Sequence, residues 1–185
     1  MKKADYGVKN ILISEEQIRE RIKEMGREMT ELYKNSENKL LVITLLKGGT
    51  VFTSDFIRNI DLQLRVEFIK ASSYKGTEST GTVKIDLPES LNSLEGYDVL
   101  ISEDIADTGV TLAKVEDILL SRNPASLKSA VLLNKPSRRR SPFVPDYVGF
   151  EIPDLFVVGF GLDYCEKYRN LPYIAEMDEN YINEE

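Results

Sequence analysis

A short apolar run at Leu40–Leu46, with further strands at Val99–Ile101 and Leu127–Leu133, constrains this chain more than any other feature. A strand that is apolar on both sides must be covered on both sides, which an open antiparallel sheet facing water cannot do. Helical segments separate the runs. Ser14 and Gln17 form a capping-box pattern, followed by Ile18, Ile22, Met25, Met29 and Leu32 at helical spacing. Lys47-Gly48-Gly49 ends the first run, and Thr50–Ile60 reads as the next helix. A further helix spans Gly109–Leu120, with Leu112, Val115, Ile118 and Leu119 inward. Leu64, Val66 and Phe68 alternate with Arg65, Glu67 and Ile69 as a strand, and Tyr147–Ile152 and Phe156–Phe160 are strand-like. Alternating strands and helices predict an α/β fold with a mainly parallel central sheet flanked by helices. The 185 residues suffice for one domain, 1–185, and show no repeat or linker. Ser72–Thr82, rich in Ser, Thr and Gly, reads as a long loop.

Charge and composition exclude several function classes. The net charge of −7 opposes binding to nucleic acid or anionic lipid, so a polyanionic substrate needs local help from backbone N–H groups, placed cations or a metal. With no histidine, Ser-His-Asp, Cys-His and His-ligated metal chemistry are ruled out. A metal here would have oxygen ligands, which favours magnesium or calcium. The single cysteine, Cys165, forms no internal disulfide and fits a reducing cytoplasm. Met1–Asn10 has no signal-peptide core, and no window has the length of a membrane span.

The chemistry concentrates in Tyr97–Leu112. An apolar strand runs into Glu103 and Asp104, a small-residue turn carries Asp107, and a helix begins at Thr108-Gly109-Val110-Thr111. Ligands of open α/β sheets bind beyond the carboxyl ends of the strands, where this turn lies. Free N–H groups at a helix start, with two hydroxyls and a glycine, make a phosphate cradle. Two acids beside such an anion site are explained if they hold sugar hydroxyls or a bridging metal. The bland alternative is a strand–turn–helix junction with Asp107 as N-cap.

This segment resembles the phosphoribosyl pyrophosphate motif of type I phosphoribosyltransferases, most closely in the hypoxanthine-guanine branch of that family. Four further blocks follow the family's order. Leu46-Lys47-Gly48-Gly49 resembles its pyrophosphate loop, Ser72-Ser73-Tyr74 the start of its flexible loop, and Leu132–Pro136 its purine-reading lysine segment. Asp154–Tyr164 with Arg169–Tyr173 resembles its base-binding hood. The resemblance implies a small hood over the base site, formed by the N-terminal segment and residues around 134–175.

It also implies roles. Glu103 and Asp104 would bind ribose hydroxyls and magnesium, with Asp163 at a second magnesium position. Asp107 would be the acid–base residue at N7 of the purine, and Thr108, Gly109, Val110 and Thr111 would hold the 5-phosphate. Lys47, Gly48 and Gly49 would meet pyrophosphate, across a Leu46-Lys47 bond that can be cis, with Arg169 pairing the same group. Lys135 would address the 6-oxo group, Phe156 would stack on the base, and Val157 would offer backbone groups. Ser73 and Tyr74 belong to the closing loop. Arg138–Arg140 reads as a solvated loop or subunit contact. The implied substrates are phosphoribosyl pyrophosphate and hypoxanthine or guanine, and the implied assembly is a homodimer or homotetramer. Alternatives are a xanthine-preferring enzyme, a nucleotide-sensing regulator on the same fold, and a metal-binding domain without catalysis.

Overall fold

The structure, a computed structural model, describes residues 7–73, 83–178 and 181. In chain order the elements are β1 (Val8–Ile13), α1 (Glu15–Tyr33), β2 (Lys39–Leu46), α2 (Gly49–Ile57), β3 (Leu64–Ser73) and β4 (Val83–Asp86). There follow β5 (Tyr97–Ala106), α3 (Val110–Leu120), β6 (Ser126–Asn134), β7 (Tyr147–Glu151), β8 (Val157–Val158) and β9 (Ile174–Met177). Single 3₁₀ turns occupy Glu89–Leu91 and Pro136–Arg138.

Six strands form the central sheet in the order β4-β3-β2-β5-β6-β7, parallel throughout except for the antiparallel β3–β4 pair. Along β2 and β5 successive apolar residues enter opposite cores, as a period-two strand requires. Leu40, Val42, Leu100 and Leu132 pack with α1, α2 and the second sheet, while Leu41, Ile43, Leu45, Val99, Ile101 and Val131 pack with α3 and Phe143. The expected mainly parallel sheet, covered on both faces, is present. The chain leaves β2 toward β3 in one direction and β5 toward β6 in the other. The carboxyl ends of β2 and β5 therefore flank the switch in strand order, where α/β sheets open a crevice.

The capping box at α1 forms as read: Ser14 N–H donates to Gln17 Oε1 at 2.8 Å, and Gln17 N–H donates to Ser14 Oγ at 3.3 Å. Ile18, Ile22, Met25 and Met29 are buried, but the last inward position is Tyr33, and Leu32 is exposed. On β3 the alternation breaks: Ile69 is buried and Phe68 exposed, since α2 packs over β2 and β5. Strand β3 runs on to Ser73, so the loop reading at Ser72 and Ser73 yields to pairing with β4, which matches Ser72 with Lys84 and Ser73 with Val83. The rest of the expected loop, 74–82, lies outside the described residues.

A second, three-stranded antiparallel sheet has the order β1-β9-β8. Ile13, Val157 and Ile174 tie it to the core beneath α1 and α2. Of the expected strand Phe156–Phe160, Val157 and Val158 form the strand paired with β9, because Gly159, Phe160 and Gly161 all take positive φ and turn the chain.

Candidate active site

Glu103 and Asp104 sit on β5 itself. The apolar signal ends at Ile101, yet β6 continues the ladder to Ala106, paired with Asn134, so the strand carries both acids into the interior. Their residues are 6% and 7% exposed. Burial, and then the charge of Asp104, push the Glu103 carboxyl well above its ordinary range, and burial raises Asp104 too. Glu103 Oε1 accepts from Asp104 N–H at 3.0 Å, but Oε2 has no partner. An orphaned carboxylate oxygen beside a second buried acid is costly unless a cation or donor arrives. Among the described residues no three acids, cysteines or histidines group as a metal cage. Two acids suit magnesium, which keeps several waters and substrate oxygens in its octahedron.

The start of α2 closes on these acids. A Cβ at Gly48 would run into the Asp104 carboxylate, so glycine is what allows the loop after β2 to approach. The Leu46–Lys47 peptide is cis. Between the two strand ends lies a cavity of about 250 Å³, bordered by Leu46, Gly48, Glu103, Asp104, Ile105 and Thr111. A larger cavity, about 490 Å³, opens at the other end of the sheet beside Tyr33, Leu40, Leu64 and Tyr97, away from these acids.

Asp107 does not cap α3. The N-cap is Gly109, in the left-handed region at φ 76° with no side-chain cap bond, and the first helix N–H, that of Val110, reaches only the Thr108 hydroxyl at 3.5 Å. Asp107 Oδ1 is shut from solvent and has no aligned hydrogen-bond donor, although Arg138 Nε lies within ion-pair range at 3.1 Å. The turn's carbonyls have no ladder partner, and the basic segment supplies the donors. Arg139 Nη1 donates to Asp107 O at 2.8 Å, and the Arg140 N–H donates to Thr108 O at 2.9 Å. Arg138 and Arg139, read in the sequence as part of a solvated loop or subunit contact, thus also engage the turn around Asp107.

Lys135 follows β6, with its N–H donating to Ala106 O at 3.0 Å. Its residue is 4% exposed, and Nζ donates to Leu155 O at 2.7 Å. Desolvation lowers the pKa of this ammonium, and the Asp107 charge partly opposes that. Phe156 is 43% exposed and meets Tyr164 edge to face, 5.6 Å between centroids. Val157 is buried in β8.

Asp163, Glu166, Arg169 and Lys47 form a chain of ion pairs. Arg169 Nη2 lies 2.8 Å from Asp163 Oδ1 and 3.4 Å from Glu166 Oε2, which in turn lies 2.9 Å from Lys47 Nζ. Arg169 Nη1 also donates to Gly161 O at 2.7 Å, and its Nε has no partner. Asp163 is therefore engaged with Arg169, apart from the Glu103–Asp104 pair. Ser73 ends β3, and Tyr74 lies outside the described residues. Glu166 is not singled out by the sequence, and Arg138 and Arg139 read there only as loop or subunit-contact charges, since nothing local distinguishes them from surface residues.

Residues 14–165 match the phosphoribosyl transferase domain family. A hypoxanthine-guanine phosphoribosyltransferase of Staphylococcus epidermidis is 50% identical over 171 residues, covering 92% of this chain and 94% of that one. One from Bacillus subtilis is 46% identical over 171 residues, covering 92% and 93%. A crystal structure of a hypoxanthine phosphoribosyltransferase from Staphylococcus aureus superposes with a TM-score of 0.87 at 45% identity, covering 96% of this chain and 95% of that one.

Proposed function

The chain belongs to the phosphoribosyl transferase domain family, and from that premise we infer that it salvages purines, transferring the 5-phosphoribosyl group of phosphoribosyl pyrophosphate to hypoxanthine or guanine. The products are the 6-oxopurine mononucleotide and pyrophosphate. The observation that carries this reading is Asp107 Oδ1, a solvent-excluded carboxylate oxygen with no aligned donor, next to a phosphate-type helix start and two buried acids.

In the reaction the bond from the anomeric carbon to pyrophosphate oxygen breaks, N9 of the purine bonds to that carbon, and the N7 proton passes to Asp107. A base that loses N7–H as N9 attacks is the better nucleophile. The N–H groups of Thr108, Gly109, Val110 and Thr111, with the threonine hydroxyls, hold the 5-phosphate. Lys47, Gly48 and Gly49 receive the pyrophosphate from one side, and Arg169 turns from Asp163 and Glu166 to pair with it. Glu103 and Asp104 hold the ribose hydroxyls and, with Asp163 at a second position, magnesium. When bound, magnesium neutralises charge on the departing pyrophosphate. Lys135 donates to the 6-oxo group, Phe156 stacks on the ring, and the Val157 backbone meets the base edge. The protein acts in the cytoplasm as a homodimer or homotetramer.

Initial rates with hypoxanthine, guanine, xanthine and adenine, each with magnesium and with chelator, test the reading. Mononucleotide should form from hypoxanthine and guanine, slowly from adenine, and not at all in chelator. Turnover of none of the four bases would defeat it, and a xanthine preference would correct the substrate.

A further inference from the structure

The run Arg138-Arg139-Arg140 reads as surface charge in the sequence, yet its first two side chains converge on one residue. Arg138 Nε lies 3.1 Å from Asp107 Oδ1, while its Nη1 lies 3.2 Å from Asp154 Oδ1, two residues before Phe156. Arg139 reaches the same aspartate from behind. Its Nη1 donates to Asp107 O at 2.8 Å, its Nη2 hydrogen-bonds Asn134 Oδ1, and its guanidinium lies 5.9 Å from the Phe143 ring centroid. The Arg139 chain also fills the space beside Gly109, where an added Cβ would meet its Cδ at 2.8 Å.

We propose that Arg138 and Arg139 are positioning residues that hold Asp107 from two sides, Arg138 its carboxylate and Arg139 its backbone. The proposal rests on the role given to Asp107 above. The division follows from what each arginine touches. Asp107 Oδ1 has no aligned donor, and the Arg138 guanidinium lies in ion-pair range of it, so Arg138 sets the direction of the carboxylate. Arg138 joins that carboxylate to the Asp154 segment that carries the base-stacking ring, so the proton acceptor and the base platform keep a fixed separation. Arg139 sets the backbone of the turn that leads into the phosphate cradle and touches no carboxylate oxygen of Asp107. Lys135 also faces Asp107, and one of its three ammonium protons goes to Leu155 O.

The two arginines therefore predict different kinetic defects. Arg138→Met should lower kcat with hypoxanthine by between about tenfold and a hundredfold, the scale of a displaced catalytic group, with KM for phosphoribosyl pyrophosphate within about twofold. Arg138→Lys should recover part of that loss. Arg139→Met should chiefly raise KM for phosphoribosyl pyrophosphate. The deciding experiment is a double-mutant cycle with full-length protein: Arg138→Met, Asp107→Asn and the pair, with kcat and thermal unfolding measured for each. If Arg138 acts through Asp107, the pair is no slower than Asp107→Asn alone, and the defect shrinks with an 8-azapurine, whose ring N–H is more acidic. Independent, multiplying losses, or an Arg138→Met enzyme at wild-type rate, would overturn the proposal while leaving the transferase reading intact. An Asp107→Asn enzyme at wild-type rate would instead remove the role of Asp107 on which the proposal rests.

Discussion

Replacing Lys135 by methionine keeps the buried stem and removes only the ammonium. Lys135 is 4% exposed and spends one donor on Leu155 O at 2.7 Å, leaving two for a base. A 6-oxo group accepts from such a donor, whereas the 6-amino group of adenine presents donor against donor. Leaving a polar group unpaired in a closed site costs about 1–3 kcal/mol. At about 1.4 kcal/mol per decade, that is roughly a 5- to 150-fold preference for hypoxanthine over adenine in kcat/KM. Lys135→Met should reduce the hypoxanthine-to-adenine ratio by that factor, mainly by slowing hypoxanthine, with KM for phosphoribosyl pyrophosphate little changed. The orphaned Leu155 carbonyl should cost about 1 kcal/mol of stability, or about 2–4 °C in Tm for a domain of this size. Initial rates with both bases, alongside thermal unfolding, separate the two effects. A lowered Tm with an unchanged ratio would show that Lys135 only holds the Leu155 carbonyl and reads nothing.

Two further outcomes follow from the strand ends. Burial and the charge of Asp104 raise the Glu103 pKa in the folded state, so the folded protein binds that proton more tightly than the unfolded chain, and stability falls as pH rises above the ordinary value of 4.5. Glu103→Gln removes that slope. Without metal the mutant should unfold at a higher temperature than the wild type near pH 8, and the gap should narrow toward pH 4.5; parallel Tm curves would refute the stored cost. Gly48→Ala, at a φ of −57° that alanine adopts freely, should leave Tm within a few degrees but drive Asp104 aside. KM for phosphoribosyl pyrophosphate should rise about tenfold, as expected for a small displacement at a substrate-positioning group. An unchanged KM would show that the loop tolerates the methyl.

The sheet was legible because a buried parallel strand needs apolar residues on both faces, and Leu40–Leu46 supplies them with only Thr44 between, as Ala130–Leu133 does at the end of β6. The capping box at Ser14 was legible because its signal lies within four residues. Strand β5 was read short because its last part, Ser102–Ala106, is held by β6 rather than by its own composition. The strand β1 could not be read: its partner β9 lies about 165 residues away, and no local pattern records that pairing. At the site, the acids and the glycine turns stood out from residue type and order alone, whereas Lys135 was marked only by the family resemblance. The bland alternative for Asp107, a helix cap, fails because the left-handed Gly109 takes that place, a choice made by backbone conformation rather than residue type. Arg138, Arg139 and Glu166 gain meaning only from what the fold sets opposite them.

Asp107→Asn is the direct test of the central claim that this carboxylate takes the purine proton while the turn beside it grips the sugar phosphate. The measurement pairs kcat for hypoxanthine with the Kd of phosphoribosyl pyrophosphate under magnesium, determined on the same preparation. The account predicts a fall in kcat of roughly 10²- to 10⁴-fold, the scale of a lost general base, with Kd within about twofold. An equal loss in both, or full turnover without the carboxylate, would contradict it.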